Sequence, residues 1–174
     1  MAADPHDLRT PSPWVVRWAP LVKRGPVLDV ASGAGRHARL FAARGLEVVA
    51  VDREVRVIPG VRFVKADLED GSPWPFAGRR FGGIVVTNYL HRPIFGRLAA
   101  ALEEGGALIY ETFMLGNERF GKPSNPAFLL HPGELLEAFR VLTVVAFEQG
   151  ESANAVRQRI CVVRGDASRV RIPA

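Results

Sequence analysis

The sequence predicts an α/β fold: a doubly wound sheet, mostly parallel, with an antiparallel last strand and some crossover helices shortened. Three observations predict it. Residues 26–53 read as strand, glycine turn, helix and strand, ending on an acid. Short apolar runs recur at residues 61–66, 81–87 and 107–113, each of a length suited to a buried parallel strand. Two final runs, residues 141–147 and 158–163, read as an antiparallel pair joined by a polar loop that includes GESANAV.

At 174 residues the chain suits a single domain. Its 48% hydrophobic content supplies a substantial core and excludes a disordered chain. The expected layout is a loose N-terminus over 1–11, an N-terminal helix over 12–24, a core sheet over 26–164 and a cap loop over 114–131. The net charge is +5, yet no run of five basic residues occurs, so a nucleic-acid partner is not favoured. The single cysteine, Cys161, lies in the apolar run RICVV and reads as a core thiol. One cysteine permits neither an internal disulfide nor a zinc cluster, and no metal site is expected. No apolar segment nears the ~18 residues of a membrane span, and the start is not a signal peptide. A cytoplasmic protein with no membrane partner is the expectation; the oligomeric state is open.

Ser12-Pro13 reads as an N-cap followed by a first-turn proline, opening a short helix over 13–22. Trp14 and Trp18 on it read as packing against the sheet. The first strand, 27–30, runs straight into Ser32-Gly33-Ala34-Gly35, where glycine lets the backbone turn tightly and approach a ligand. A helix over 36–44 follows, with Gly45 as its C-cap. His37 on its first turn faces either a ligand beside the glycines or solvent. The second strand, 46–51, delivers Asp52 at its carboxyl end.

That βαβ unit places a ligand crevice at the strands' carboxyl ends. Gly33, Gly35 and Ala38 satisfy the dinucleotide pattern G-x-G-x-x-G/A, with Asp52 near the expected offset. Asp29, inside the first strand, argues for another ligand. It gives D-x-x-x-G-x-G, and a strand carboxylate there can accept N–H bonds from the glycine turn.

On these residues VLDVASGAG resembles the first motif of class I S-adenosylmethionine (SAM)-dependent methyltransferases, and Asp52 matches their ribose-binding acid. The resemblance covers residues 26–164 and implies a Rossmann-like methyltransferase sheet closed by the antiparallel pair. SGAGRHARLFAARGLEVVAVDR is similar to small bacterial methyltransferases of the tellurite-resistance type, and GNERFGKPSNPAFLLHPGELL resembles uncharacterised bacterial members. The implied cofactor is SAM, held by Asp29, Ala31, Ser32, Gly33 and Gly35 around the turn and by Asp52 and Arg53 after the second strand. Asp67 and Leu68 would meet the adenine, and Asn88 would border the cofactor. Asp67 also suits a turn role.

Only eight residues, 53–60, precede the third strand at 61–66, too few for a full crossover helix. Residues 71–80, with two prolines and two glycines, replace the next helix with a loop. The fourth strand begins Phe81-Gly82, where many members of the resembled class carry Phe-Asp. Asn88-Tyr89-Leu90-His91-Arg92-Pro93 leaves its end and is the best candidate for chemistry. If the acceptor must lose a proton, His91 is the first candidate base, Glu111 the second and Tyr89 the third. A helix over 93–102 is stopped by Gly105-Gly106, and the fifth strand spans 107–113. The long connection 114–131 reads as a cap, with Phe120 or Phe128 excluding water from a pocket. A short helix over 132–139 leads into the last two strands. The reading is methyl transfer to a small-molecule acceptor. A NAD-type oxidoreductase and a non-catalytic SAM-binding module are the alternatives.

Overall fold

The computed structural model describes residues 9–173. Most of the segment expected to be loose, and His6 with it, lies outside the described residues. Four short helices are α1 (Pro13–Trp18), α2 (Arg36–Ala42), α3 (Phe95–Ala101) and α4 (Glu134–Ala138). Seven strands are β1 (Val27–Val30), β2 (Val48–Asp52), β3 (Arg62–Lys65), β4 (Phe81–Thr87), β5 (Leu102–Phe113), β6 (Thr143–Ser152) and β7 (Ala155–Val163). They form one sheet in the order β3-β2-β1-β4-β5-β7-β6. β1 to β5 pair in parallel, and β7 pairs antiparallel with both β5 and β6.

Helices cover both faces. On one, Trp14, Val15 and Trp18 of α1 and Ala38 and Phe41 of α2 pack on Val85, Ile109 and Cys161. On the other, Leu98 of α3 and Leu135 of α4 pack with Phe139 on Ile84, Leu108, Tyr110 and Ile160. β1, β4 and most of β2 are buried on both sides, which is why they read as continuous apolar runs rather than alternating ones. Burial pushes the Cys161 thiol up to about 12, so it stays protonated in the core.

Ser12 caps α1 by accepting the Trp14 N–H at 3.2 Å. Pro20 ends the regular helix, and Ala19–Leu21 tightens into a 3-10 turn. The two indoles meet edge to face at 5.7 Å and are buried, and the Trp14 indole N–H donates to the Ile160 carbonyl. Both tryptophans serve packing.

Several boundaries differ from the sequence reading for physical reasons. The C-cap of α2 is Ala43; Gly45 lies two residues beyond it in the left-handed region. β5 starts at Leu102, not at 107, because Gly105 N–H donates to Arg164 O and Gly106 O accepts from Arg164 N–H. Those bonds keep the glycines within the sheet where composition suggests a stop. The polar stretch before 158 is not a loop either: Gly150, Glu151 and Ser152 pair with Arg157, Val156 and Ala155 in a hairpin. At Gly82 the missing acid has a steric cause. A Cβ there would collide with the Arg24 carbonyl oxygen.

Candidate functional site

The carboxyl ends of β1, β2, β3 and β4 meet at one rim, since β1 sits between β2 and β4 in register. A cleft of about 440 Å³ opens there. Its walls include Ala31 after β1, Asp52 at the end of β2 with Arg53 and Glu54 beyond it, Asp67, Leu68 and Glu69 after β3, Tyr89 after β4, and Phe128 from the long connection after β5. Seven residues singled out from sequence therefore share it: Ala31, Asp52, Arg53, Asp67, Leu68, Tyr89 and the loop-borne aromatic Phe128. Val51, Glu54, Ala66 and Glu69 complete it.

The turn after β1 is built from left-handed residues. Ala31, Gly33 and Gly35 have φ of 51°, 52° and 75°. A Cβ on Gly33 would meet nothing within 4 Å, so its outer face is open to a ligand. A Cβ on Gly35 would strike the Ile58 side chain, which the loop after β2 folds underneath. The two glycines are thus required for different reasons. Ser32, just before Gly33, is buried, and its hydroxyl has no partner among the described residues.

Asp52, not Asp29, takes the glycine-turn N–H expected of the first-strand acid. The Gly33 N–H donates to Asp52 Oδ2 at 2.8 Å, and the Glu54 N–H donates to Asp52 Oδ1 at 3.0 Å. Asp29 does not reach the glycine turn. Its Oδ2 accepts the Ala38 N–H of α2 at 2.9 Å, which locks the helix onto β1. It is 2% exposed, and burial raises its carboxyl to about 7 despite the Ala38 N–H and the Arg36 charge. Asp67 Oδ1 accepts the Glu69 N–H at 2.9 Å, so it forms a turn while it lines the cleft.

His37 does not face solvent. It is buried, its Nε2 accepts the Ser12 N–H at 3.1 Å, and burial followed by the Arg36 charge lowers it to about 3. The neutral ring fixes the start of α1 to α2.

The candidate bases are arranged unequally. Tyr89 lines the cleft; burial and then the Glu69 charge raise its phenol above the usual range, which favours the neutral hydroxyl. His91 is half-buried and opens the 3-10 turn Arg92–Ile94, two residues beyond the cleft wall. Glu111, 4% exposed, faces Arg159 with Oε2 and Nε 3.0 Å apart, an ion pair that occupies its carboxylate. Asn88 takes a positive φ of 53°, and its Oδ1 accepts from the buried Arg157 at 2.7 Å. Asp29, Ser32, Gly33, Gly35, Asn88, His91 and Glu111 stand outside the lining of this cleft, although the turn and the β4 exit adjoin it.

The connection after β5 is ordered by its own contacts. Leu129 and Leu130 are buried, and Met114 bridges Leu130 as in a parallel ladder. Phe128 reaches the cleft. Phe120 does not; it is exposed beside the Arg119 guanidinium.

A mixed sheet of this order with a ligand-sized cleft at its carboxyl rim defines the class I methyltransferase fold, and solved structures agree. The chain superposes on TehB from Haemophilus influenzae with a TM-score of 0.69 at 16% identity, covering 87% of this chain and 61% of that one. It spans, in other words, less than two thirds of the TehB chain. It is similar to Burkholderia thailandensis 1,6-didemethyltoxoflavin-N1-methyltransferase, solved with its acceptor and S-adenosylhomocysteine (TM-score 0.62, 22% identity, 88% of this chain and 76% of that one). It is also similar to the glycopeptide N-methyltransferase MtfA solved with S-adenosylhomocysteine (TM-score 0.59, 18% identity, 87% and 88% covered). No protein-family model and no curated protein matches the sequence.

Proposed function

We propose that this chain binds SAM across the glycine turn and the rim cleft, and transfers its methyl group to a small-molecule acceptor. The observation that carries the reading is the Asp52 carboxylate. It ends β2, lines the cleft and already grips the Gly33 N–H of the turn. An acid in that position can accept ribose hydroxyls while the turn approaches the amino-acid tail. The open space over Gly33 and the unpartnered Ser32 hydroxyl suit a polar ligand at the turn. Four carboxylates, Asp52, Glu54, Asp67 and Glu69, line the cleft against one cation, Arg53. That balance suits a neutral nucleoside better than the pyrophosphate of a dinucleotide. Structural neighbours solved with SAM and with S-adenosylhomocysteine support the same reading.

In this reading Asp52 and Arg53 hold the ribose end, and Asp67 with the Leu68 backbone meets the adenine. Asn88 and the turn from Ala31 to Gly35 hold the tail, and Asp29 keeps α2 in place behind them. SAM, when bound, supplies a methyl group made electrophilic by its sulfonium. The protein's share is alignment: holding the acceptor atom in line at ~3–3.5 Å, where orientation contributes several kcal/mol. His91 is the proposed base for an acceptor that must lose a proton. Tyr89, protonated and on the wall, is better suited to orient than to deprotonate, and Glu111 is engaged by Arg159.

The test is mass spectrometry of the purified protein for a co-purified nucleoside, followed by calorimetry with SAM and NAD. Binding of SAM and not NAD is expected. Binding of NAD alone would overturn the reading in favour of an oxidoreductase. SAM binding without S-adenosylhomocysteine release across a broad acceptor screen would leave a SAM-binding module.

A further inference from the structure

Arg92 follows the β4 exit and uses its whole guanidinium on two other segments. Nε meets Glu134 Oε1 at 2.6 Å and Nη2 meets Glu134 Oε2 at 3.0 Å, a two-pronged pair with the first residue of α4. The remaining donors turn to the long connection. Nη1 donates to the Ala127 carbonyl at 3.0 Å and Nη2 to the Leu129 carbonyl at 2.9 Å. Those two carbonyls flank Phe128, so a single side chain brackets the backbone on both sides of that aromatic.

Other bonds converge on the same short segment. The Ala127 N–H donates to Asn125 Oδ1 at 2.9 Å, and the Leu129 N–H donates to the Pro126 carbonyl at 3.0 Å. Glu134 Oε2 in turn accepts the His131 N–H at 2.7 Å, which closes the circuit from Arg92 back to the connection. Phe128 itself is 49% exposed and contributes to the cleft wall. A half-exposed aromatic on a loop gains little from its own burial. Its position is set by the backbone, and the backbone is set here by a planar fork that a point charge cannot imitate.

We infer that Arg92 is a positioning residue that holds Phe128 as the outer wall of the nucleoside cleft. The inference rests on the SAM reading and extends it, for it assigns the loop after β5 to the cofactor rather than to the acceptor. Phe128 lines the same cleft as Asp67 and Leu68, which are proposed to meet the adenine. Its ring would cover the base and keep water from the hydrogen bonds beneath.

The experiment is a double-mutant cycle read by calorimetry with S-adenosylhomocysteine, using Phe128→Ala, Arg92→Gln and the pair together. Phe128→Ala should weaken binding roughly tenfold, as loss of one stacking side chain does. Arg92→Gln should weaken it similarly, and the double variant should add no more than about twofold, because both changes remove the same wall. A purely structural role for Arg92 would lower the melting temperature without this coupling. Arg92→Lys keeps a charge beside Glu134 but cannot span both carbonyls. It should show the same loss of affinity, and it carries the test if Arg92→Gln fails to fold. S-adenosylhomocysteine affinity within twofold of wild type in the Arg92 variants, or losses that multiply in the double variant, would overturn the inference while leaving the cofactor reading intact. Failure of the wild-type protein to bind would instead overturn the cofactor reading, and the inference with it.

Discussion

The Gly33 N–H and the Asp52 carboxylate stand 2.8 Å apart, so the turn after β1 and the end of β2 are joined through the residue proposed to hold the ribose. Asp52→Ala would remove this bond as well as those to the ribose hydroxyls. Hydrogen bonds to a charged group are worth ~1.5–3 kcal/mol each, less what water recovers. SAM affinity should fall by about 10- to 1,000-fold. Asp52 is a strand-end residue partly open to solvent, so the fold should persist. Unchanged binding in calorimetry would remove Asp52 from the site.

Gly33 and Gly35 make opposite predictions. Gly33 faces open space, so Gly33→Val should abolish SAM binding by filling the ligand's volume, and its φ of 52° adds strain for a β-branched residue. Gly35→Ala meets Ile58 instead. It should cost stability, about 1–3 kcal/mol for overpacking, and Ile58→Ala in the same chain should recover part of the loss. Normal SAM binding by Gly33→Val would mean that the turn does not approach the cofactor.

Burial moves Asp29 and His37 in opposite directions, and the consequence is a pH window in which they offset each other. Asp29 rises from 3.8 to about 7, so between those values the folded state holds more protons and stability falls as pH rises. His37 drops from 6.5 to about 3, so there the unfolded state holds more protons and stability rises with pH. The windows overlap from about pH 4 to 6.5. Against wild type, Asp29→Asn should gain stability as pH rises through that window, and His37→Gln should lose it. Glutamine keeps an acceptor for the Ser12 N–H. Urea unfolding at several pH values measures both slopes; variant curves parallel to wild type would mean that neither group titrates as described.

Much of this fold is legible in the chain because burial on both faces leaves an unambiguous trace. The strand expected at 81–87 is β4 to the residue, since its apolar run is bounded by Arg79-Arg80 and Asn88. The short link 53–60 correctly excludes a crossover helix before β3. The polar residues of β6 and β7 give no such trace. β6 is an edge strand with exposed side chains, and its backbone pairing is indifferent to composition. At the site, Asp52 and Asp67 are legible because each stands at the carboxyl end of a strand expected from sequence, on the rim where the crevice lies. Phe128 is named from sequence as a pocket cover, but its tie to Arg92 is not legible: it runs through backbone carbonyls 35 and 37 residues away from Arg92, which no local period encodes. His37 misleads for a related reason. Its partner is a main-chain N–H on another helix, a contact with no signature in residue type.

The last prediction separates the three candidate bases. His91 opens the turn after Tyr89, on the exit from β4, and is half-buried. If its imidazole takes the acceptor's proton only as the methyl group moves, His91→Ala should lower turnover by about 10²- to 10⁴-fold. Cofactor affinity should stay within about threefold, because an interaction used only in the transition state changes rate rather than cofactor binding. Tyr89→Phe should behave differently. The phenol lies on the cleft wall and is held neutral by burial and Glu69, so its loss should weaken binding as well as rate. Glu111→Gln should act mainly on stability, because it removes the buried carboxylate of the pair and leaves the Arg159 guanidinium only its 3.5 Å contact with Glu148. The assay starts from a small-molecule screen that reads S-adenosylhomocysteine release. Turnover, cofactor affinity and melting temperature are then measured for all three variants with the acceptor found. Full turnover in His91→Ala would exclude it as the base; a rate loss confined to Glu111→Gln, with the melting temperature kept, would move the role there.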